Sequence, residues 1–96
     1  MIRIERTERF GSWLEGISDD RARDKIEVRL YRLARGNPGD VKPVGSGVSE
    51  LRIDYGPGYR VYFTRRGLEL ILLLAGGDKR TQASDIAMAV TLAKQL

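Results

Sequence analysis

A chain of 96 residues can bury one modest hydrophobic core and not two, so a single domain over residues 1–96 is expected; 42% hydrophobic and 31% charged residues describe an ordinary globular chain. With no Cys and no His, a disulfide framework, a thiol nucleophile, cysteine-ligated zinc and imidazole acid–base chemistry are all excluded. Seventeen Lys and Arg against thirteen Asp and Glu give a net charge of +4, which suits a polyanionic partner without requiring one.

The N-terminal run Met1 to Arg6 has no apolar signal-peptide core behind it, and the longest apolar stretch is Leu70 to Ala75. The cytosol is the expected compartment, with no membrane association. Ile2 and Ile4 alternate with Arg3 and Glu5 as in a half-buried strand, and Thr7 offers a helix N-cap. Phe10, Trp13, Leu14 and Ile17 form one apolar stripe at helical spacing, predicting a helix from Thr7 to about Gly16. Ser18, Asp19 and Asp20 supply a cap and acidic residues for a second helix, in which Ala22, Ile26, Leu30 and Leu33 repeat at the same spacing until Gly36. Its other face carries Arg21, Lys25, Arg32 and Arg35, read as a solvated surface or a basic flank.

Turn formers from Gly36 to Asp40 and an irregular segment through Lys42, Pro43 and Gly47 predict a loop that ends the helical half. From Val48 the period becomes two, with Leu51, Ile53 and Tyr55 on one side and Glu50, Arg52 and Asp54 on the other. Gly56-Pro57-Gly58 turns the chain into a hairpin partner in which Tyr59, Val61 and Phe63 alternate with Arg60, Tyr62 and Thr64. Leu68 to Ala75 is nearly continuous in aliphatics, as for a strand covered on both faces, and Gly76-Gly77 is expected to break it. Thr81 then offers a cap for a last helix with Ile86, Val90 and Ala93 on one side. The sum is an α+β layout: a small twisted antiparallel sheet, two N-terminal helices packed on it and a C-terminal helix.

A hairpin turning at Gly56-Pro57-Gly58 puts Arg52 and Arg60 on one face of the sheet as near neighbours. Such a pair either belongs to a cross-strand ladder with Glu50 or Asp54 or awaits an anion. Lys79 and Arg80 follow the buried strand and precede a helix, a place that favours phosphate, although a charge pair in a loop is as readily plain solvent exposure. Tyr59 and Tyr62 offer base-stacking surfaces or hairpin packing. No P-loop, dinucleotide fingerprint, metal cluster or catalytic triad is present, which disfavours a conventional small-molecule enzyme and calls for no metal or cofactor.

The segments GSGVSELRIDYGPGYRVYF (Gly45 to Phe63) and LLLAGGDKRTQASDIAMA (Leu72 to Ala89) resemble the RelE/ParE superfamily, and within it the phage-derived, HigB-like branch of addiction-module killer proteins. The resemblance covers nearly the whole chain. It implies a toxin of a type II toxin–antitoxin system that inhibits translation as a metal-independent endoribonuclease, cutting mRNA in the ribosomal A site. A cognate helix-turn-helix antitoxin would neutralise it in a hetero-oligomer. The alternatives are a ParE-like inhibitor of DNA gyrase and a non-catalytic antitoxin-binding module. By the same resemblance Arg60 holds the reacting phosphate, Arg52 lies near a basic strand position of the site, Lys79 or Arg80 matches the basic residue after the last strand, and Lys42 is a further phosphate contact.

RelE carries a C-terminal tyrosine and HigB-type enzymes carry histidines where this chain has neither, so acid and base stay unassigned. Attack of a ribose 2′-OH on its 3′-phosphate needs charge stabilisation, a base and an acid. Arg52 and Arg60 suit the first need; a guanidinium is too weak a base for the second. Lys79, beside the like charge of Arg80, or Asp85 is the better candidate for proton transfer, and Tyr62 is a substitute for either.

Overall fold

In the computed structural model, which describes residues 1–96, Thr7 joins the first strand to the first helix. Its hydroxyl accepts from the Phe10 N–H at 3.1 Å, satisfying a helix donor, and donates to the carbonyls of Leu73 and Leu74. Strand β1 (Arg3–Arg6) precedes it and helix α1 (Glu8–Glu15) follows. Helix α2 (Asp20–Ala34) is capped by the Asp19 carboxylate on the N–H groups of Arg21 and Ala22, and buries Ala22, Ile26, Leu30 and Leu33 as their spacing requires. Strands β2 (Val41–Gly45), β3 (Val48–Ile53), β4 (Tyr59–Arg66) and β5 (Leu70–Asp78) come next, then a single 3₁₀ turn (Lys79–Thr81) and helix α3 (Gln82–Gln95).

The five strands form one sheet in the order β1-β5-β4-β3-β2. All neighbours are antiparallel except β1 and β5, which pair in parallel from Arg3 opposite Leu70 to Arg6 opposite Leu73. The sheet is therefore mixed, where the sequence suggested a purely antiparallel one. The β4–β5 hairpin fixes the direction of β5, and everything between Arg6 and Leu70 serves as the long crossover that parallel neighbours need.

Three further boundaries differ from the sequence reading. The segment at Lys42 and Pro43, expected to be irregular, is edge strand β2; an edge is where a residue without an N–H is tolerated, and Pro43 lies opposite Ser49 just before a register shift. The turn out of it needs left-handed backbone at Gly45, Ser46 and Gly47 (φ 99°, 55° and 76°), which two glycines make accessible. Strand β5 starts later and ends later than Leu68 to Ala75. Leu68 is 84% exposed in the preceding turn, while Gly76 and Gly77 continue the ladder opposite Val61 and Arg60. These glycines remain in the strand because other side chains occupy the space of a Cβ: the Trp13 ring at Gly76 and the Asp85 carboxylate at Gly77. Finally, Thr81 makes no side-chain cap to α3; Asp78 accepts from the Arg80 N–H ahead of the 3₁₀ turn, and the Thr81 hydroxyl donates to Asp85 instead.

Alternation along β3 and β4 divides the core. Under α1 and α2 lie eleven buried apolar residues, including Phe10, Ile26, Leu51, Val61 and Leu73, with Trp13, Tyr55 and Tyr59 at the margin. Under α3 lies a smaller cluster of Val48, Tyr62, Leu74, Ala75 and Ala89. A bulge opposite Tyr62 and Phe63 lets both Leu74 and Ala75 join it. Arg66 fastens the far end of α3 by donating to the carbonyls of Ala93 (2.6 Å) and Leu96 (2.8 Å). No helix is long and apolar enough to cross a membrane.

Candidate functional site

Arg52 on β3 and Arg60 on β4 are direct cross-strand partners on the face that α3 covers. Each has its own carboxylate. The Arg52 Nε and Nη2 atoms donate to Asp40 Oδ1 at 3.1 and 2.7 Å, and this hydrogen bond holds the Asp40 carboxyl below the usual range and raises Arg52 above its own. Arg60 is nearly enclosed, its side chain 12% exposed, with Nε 3.9 Å from Glu50 Oε1 and Nη1 donating to the Tyr59 carbonyl at 3.3 Å. Of the two partners the sequence offered, Glu50 is used by Arg60 and Asp54 stays exposed; Arg52 takes Asp40 from the preceding loop.

Glu50 is completely buried. Its Oε2 accepts from the Tyr62 hydroxyl at 3.0 Å and from Gln82 Nε2 at 2.7 Å, so β3, β4 and α3 meet at one carboxylate. Burial, together with Glu50, pushes the Tyr62 phenol above its ordinary value. Arg29 supports the loop from α2: Nη1 donates to the Arg52 carbonyl at 2.6 Å and Nη2 to the Pro38 carbonyl at 3.1 Å, while burial lowers its pKa.

A cleft of about 420 Å³ opens beside this pair, lined by Asp40, Arg52, Asp54, Gly56, Pro57, Gly58, Arg60 and Lys79, with no hydrophobic side chain. A Cβ on Gly58 would stand 3.6 Å from both Arg60 Nη1 and Lys79 Cβ, so the β3–β4 turn brings the two cations to the same wall. Three cations against two carboxylates leave the lining of this small, polar cleft with one net positive charge.

The other residues singled out from the sequence lie elsewhere. Arg80 is 80% exposed and paired with Asp78, whose carboxyl it holds below the usual range by donating to it. Lys42 is exposed on β2 opposite Glu50, outside the cleft lining. Tyr62 is fully buried and donates to Glu50, which removes it from the groups that can exchange a proton with a ligand. Tyr59 is partly buried and packs edge-on against Trp13 with centroids 6.2 Å apart. Asp85 accepts from Thr81 and lies over Gly77, the register partner of Arg60, but it lines a different and larger cleft of about 760 Å³ with Glu8, Arg9, Trp13 and Asp78. That cleft has one cation against three carboxylates, so the smaller one has the better electrostatics for an anion. No three His, Cys, Asp or Glu side chains converge to hold a metal ion.

Asp40, Arg29 and Gln82 were not found from the sequence. Asp40 reads there as one more turn former, and Gln82 as an ordinary first residue of a helix; only the tertiary fold gives them partners.

No family model matches the chain. An uncharacterized protein of Haemophilus influenzae is 50% identical to it over 95 residues, which cover 99% of this chain and 96% of that protein. The two belong to one family. The similarity runs the length of the domain, so every element that builds the cleft lies within it.

Proposed function

We propose that this protein is the toxin of a type II toxin–antitoxin pair of the RelE/ParE kind, a ribosome-dependent mRNA endonuclease that acts in the cytoplasm and is neutralised by a cognate helix-turn-helix antitoxin. The observation that carries this reading is the convergence of Arg52, Arg60 and Lys79 on one small polar cleft. In the reaction the 2′-OH of a ribose attacks its own 3′-phosphate; a new 2′-O–P bond forms, the bond to the 5′-oxygen of the next nucleotide breaks, and the products are a 2′,3′-cyclic phosphate and a 5′-OH. Arg60, with Arg52 beside it, faces the charge that grows on the phosphoryl oxygens. Lys79, exposed on the same cleft, is the group best placed to pass a proton, and Asp85 in the neighbouring cleft comes second. A toxin that supplies mainly cations relies on the ribosome to align the RNA for in-line attack, so naked RNA should be cut poorly.

Primer extension on a defined mRNA in a purified translation system tests this. Cuts are expected with ribosomes and not without them, and Arg60→Ala should reduce them about 10²–10³-fold. No cuts under any condition, with gyrase supercoiling inhibited instead, would overturn the RNA reading in favour of a gyrase-directed toxin.

A further inference from the structure

Glu50 is a charged side chain at 0% exposure, and the chemistry of the cleft does not use it directly. Burying a carboxylate is costly unless it is paired and hydrogen-bonded, and here only one half of it is satisfied. Oε2 has two donors, Tyr62 Oη and Gln82 Nε2, whereas Oε1 has no hydrogen-bond partner. The one cation within reach is Arg60, whose Nε, 3.9 Å away, is likewise buried and without a hydrogen bond. Each is the other's remaining partner.

We infer that Glu50 is the positioning residue of the site: clamped from behind by Tyr62 and Gln82, it attracts the Nε edge of Arg60 as an ion pair, so that the guanidinium's Nη groups, one of which also donates to the Tyr59 carbonyl, are kept at the cleft. The inference deepens the proposed function and, for its effect on cleavage, rests on that reading. Three features support it. Tyr62, with its pKa raised, stays protonated and remains a donor to Glu50. The clamp joins β3, β4 and α3, so Glu50 cannot swing toward the cleft without breaking bonds in two neighbouring elements. Arg52, by contrast, is hydrogen-bonded to Asp40, an exposed carboxylate on a loop, and is the more exposed of the two cations, its side chain 36% exposed against 12% for Arg60.

Two readouts on the full-length protein test this. The first is the Arg60 side-chain Nε–H resonance in an ¹⁵N-labelled sample, with and without inorganic phosphate. In the wild type it should be resolved and slow to exchange with solvent. In Glu50→Gln it should shift and exchange at least about tenfold faster, because the ionic partner of Nε is gone. The second is ribosome-dependent cleavage. Glu50→Gln should lower kcat by about tenfold to a hundredfold, and should cause no further loss in an Arg60→Ala background, the mark of a group acting through Arg60. Should Glu50→Gln fail to fold, Gln82→Ala, which removes one donor and leaves the carboxylate, should show the same two changes in smaller measure. An unmoved Arg60 signal in the folded variants, or an equal loss with and without Arg60, overturns the inference. Absence of cutting by the wild type, with the Arg60 signal responding to Glu50→Gln, counts against the RNA reading alone.

Discussion

The two faces of the sheet are built on different principles. The face under α1 and α2 is closed by aliphatic and aromatic side chains in a single cluster. The face under α3 has less than half as many buried apolar residues and gives its remaining space to Glu50, Tyr62, Gln82 and Arg60. Apolar burial is non-directional and forgiving of detail, whereas a buried polar group is tolerated only with its partners in place. Stability therefore resides mainly on the first face, and the second is free to hold cations beside a cleft.

The sharpest way to break this contrast is a truncation on the apolar face. Leu51→Ala should cost about 2–5 kcal/mol in denaturant unfolding, because Leu51 is fully buried, yet leave cleavage per folded molecule unchanged. A change in cleavage with an intact fold would show that the faces are not separable. On the polar face, Tyr62→Phe keeps the ring but removes a donor from the buried carboxylate, and should cost roughly 1–3 kcal/mol by the same measurement. Arg66→Ala should cost about 0.3–1 kcal/mol and speed hydrogen exchange only in the last turn of α3, where its two carbonyl contacts lie.

The smallest effect comes from pH. Asp19, Asp40 and Asp78 sit below the ordinary value of 3.8 because Tyr55, Arg52 and Arg80 donate to them. A carboxyl depressed by folding contributes stability above its unfolded value and gives it up as pH falls through the folded value. The unfolding midpoint should therefore decline below pH 3.8, and Asp40→Asn should flatten part of that decline; identical acid profiles would remove Asp40 from the account.

The period of apolar residues and the capping residues Thr7 and Asp19 determined where α1 and α2 start and which of their faces is buried, since both signals are local. The turn Gly56-Pro57-Gly58 likewise determined the register that makes Arg52 and Arg60 neighbours. Tertiary structure decided what the sequence left open. It set β1 parallel to β5, drew Pro43 into an edge strand, kept Gly76 and Gly77 in β5 under Trp13 and Asp85, and sorted the charges. Arg52 went to Asp40 and Arg60 to Glu50. The reason is physical: helix periods and turns are fixed by bonds between residues a few positions apart, whereas the partner of a charge is whichever opposite group the packed fold places within about 4 Å.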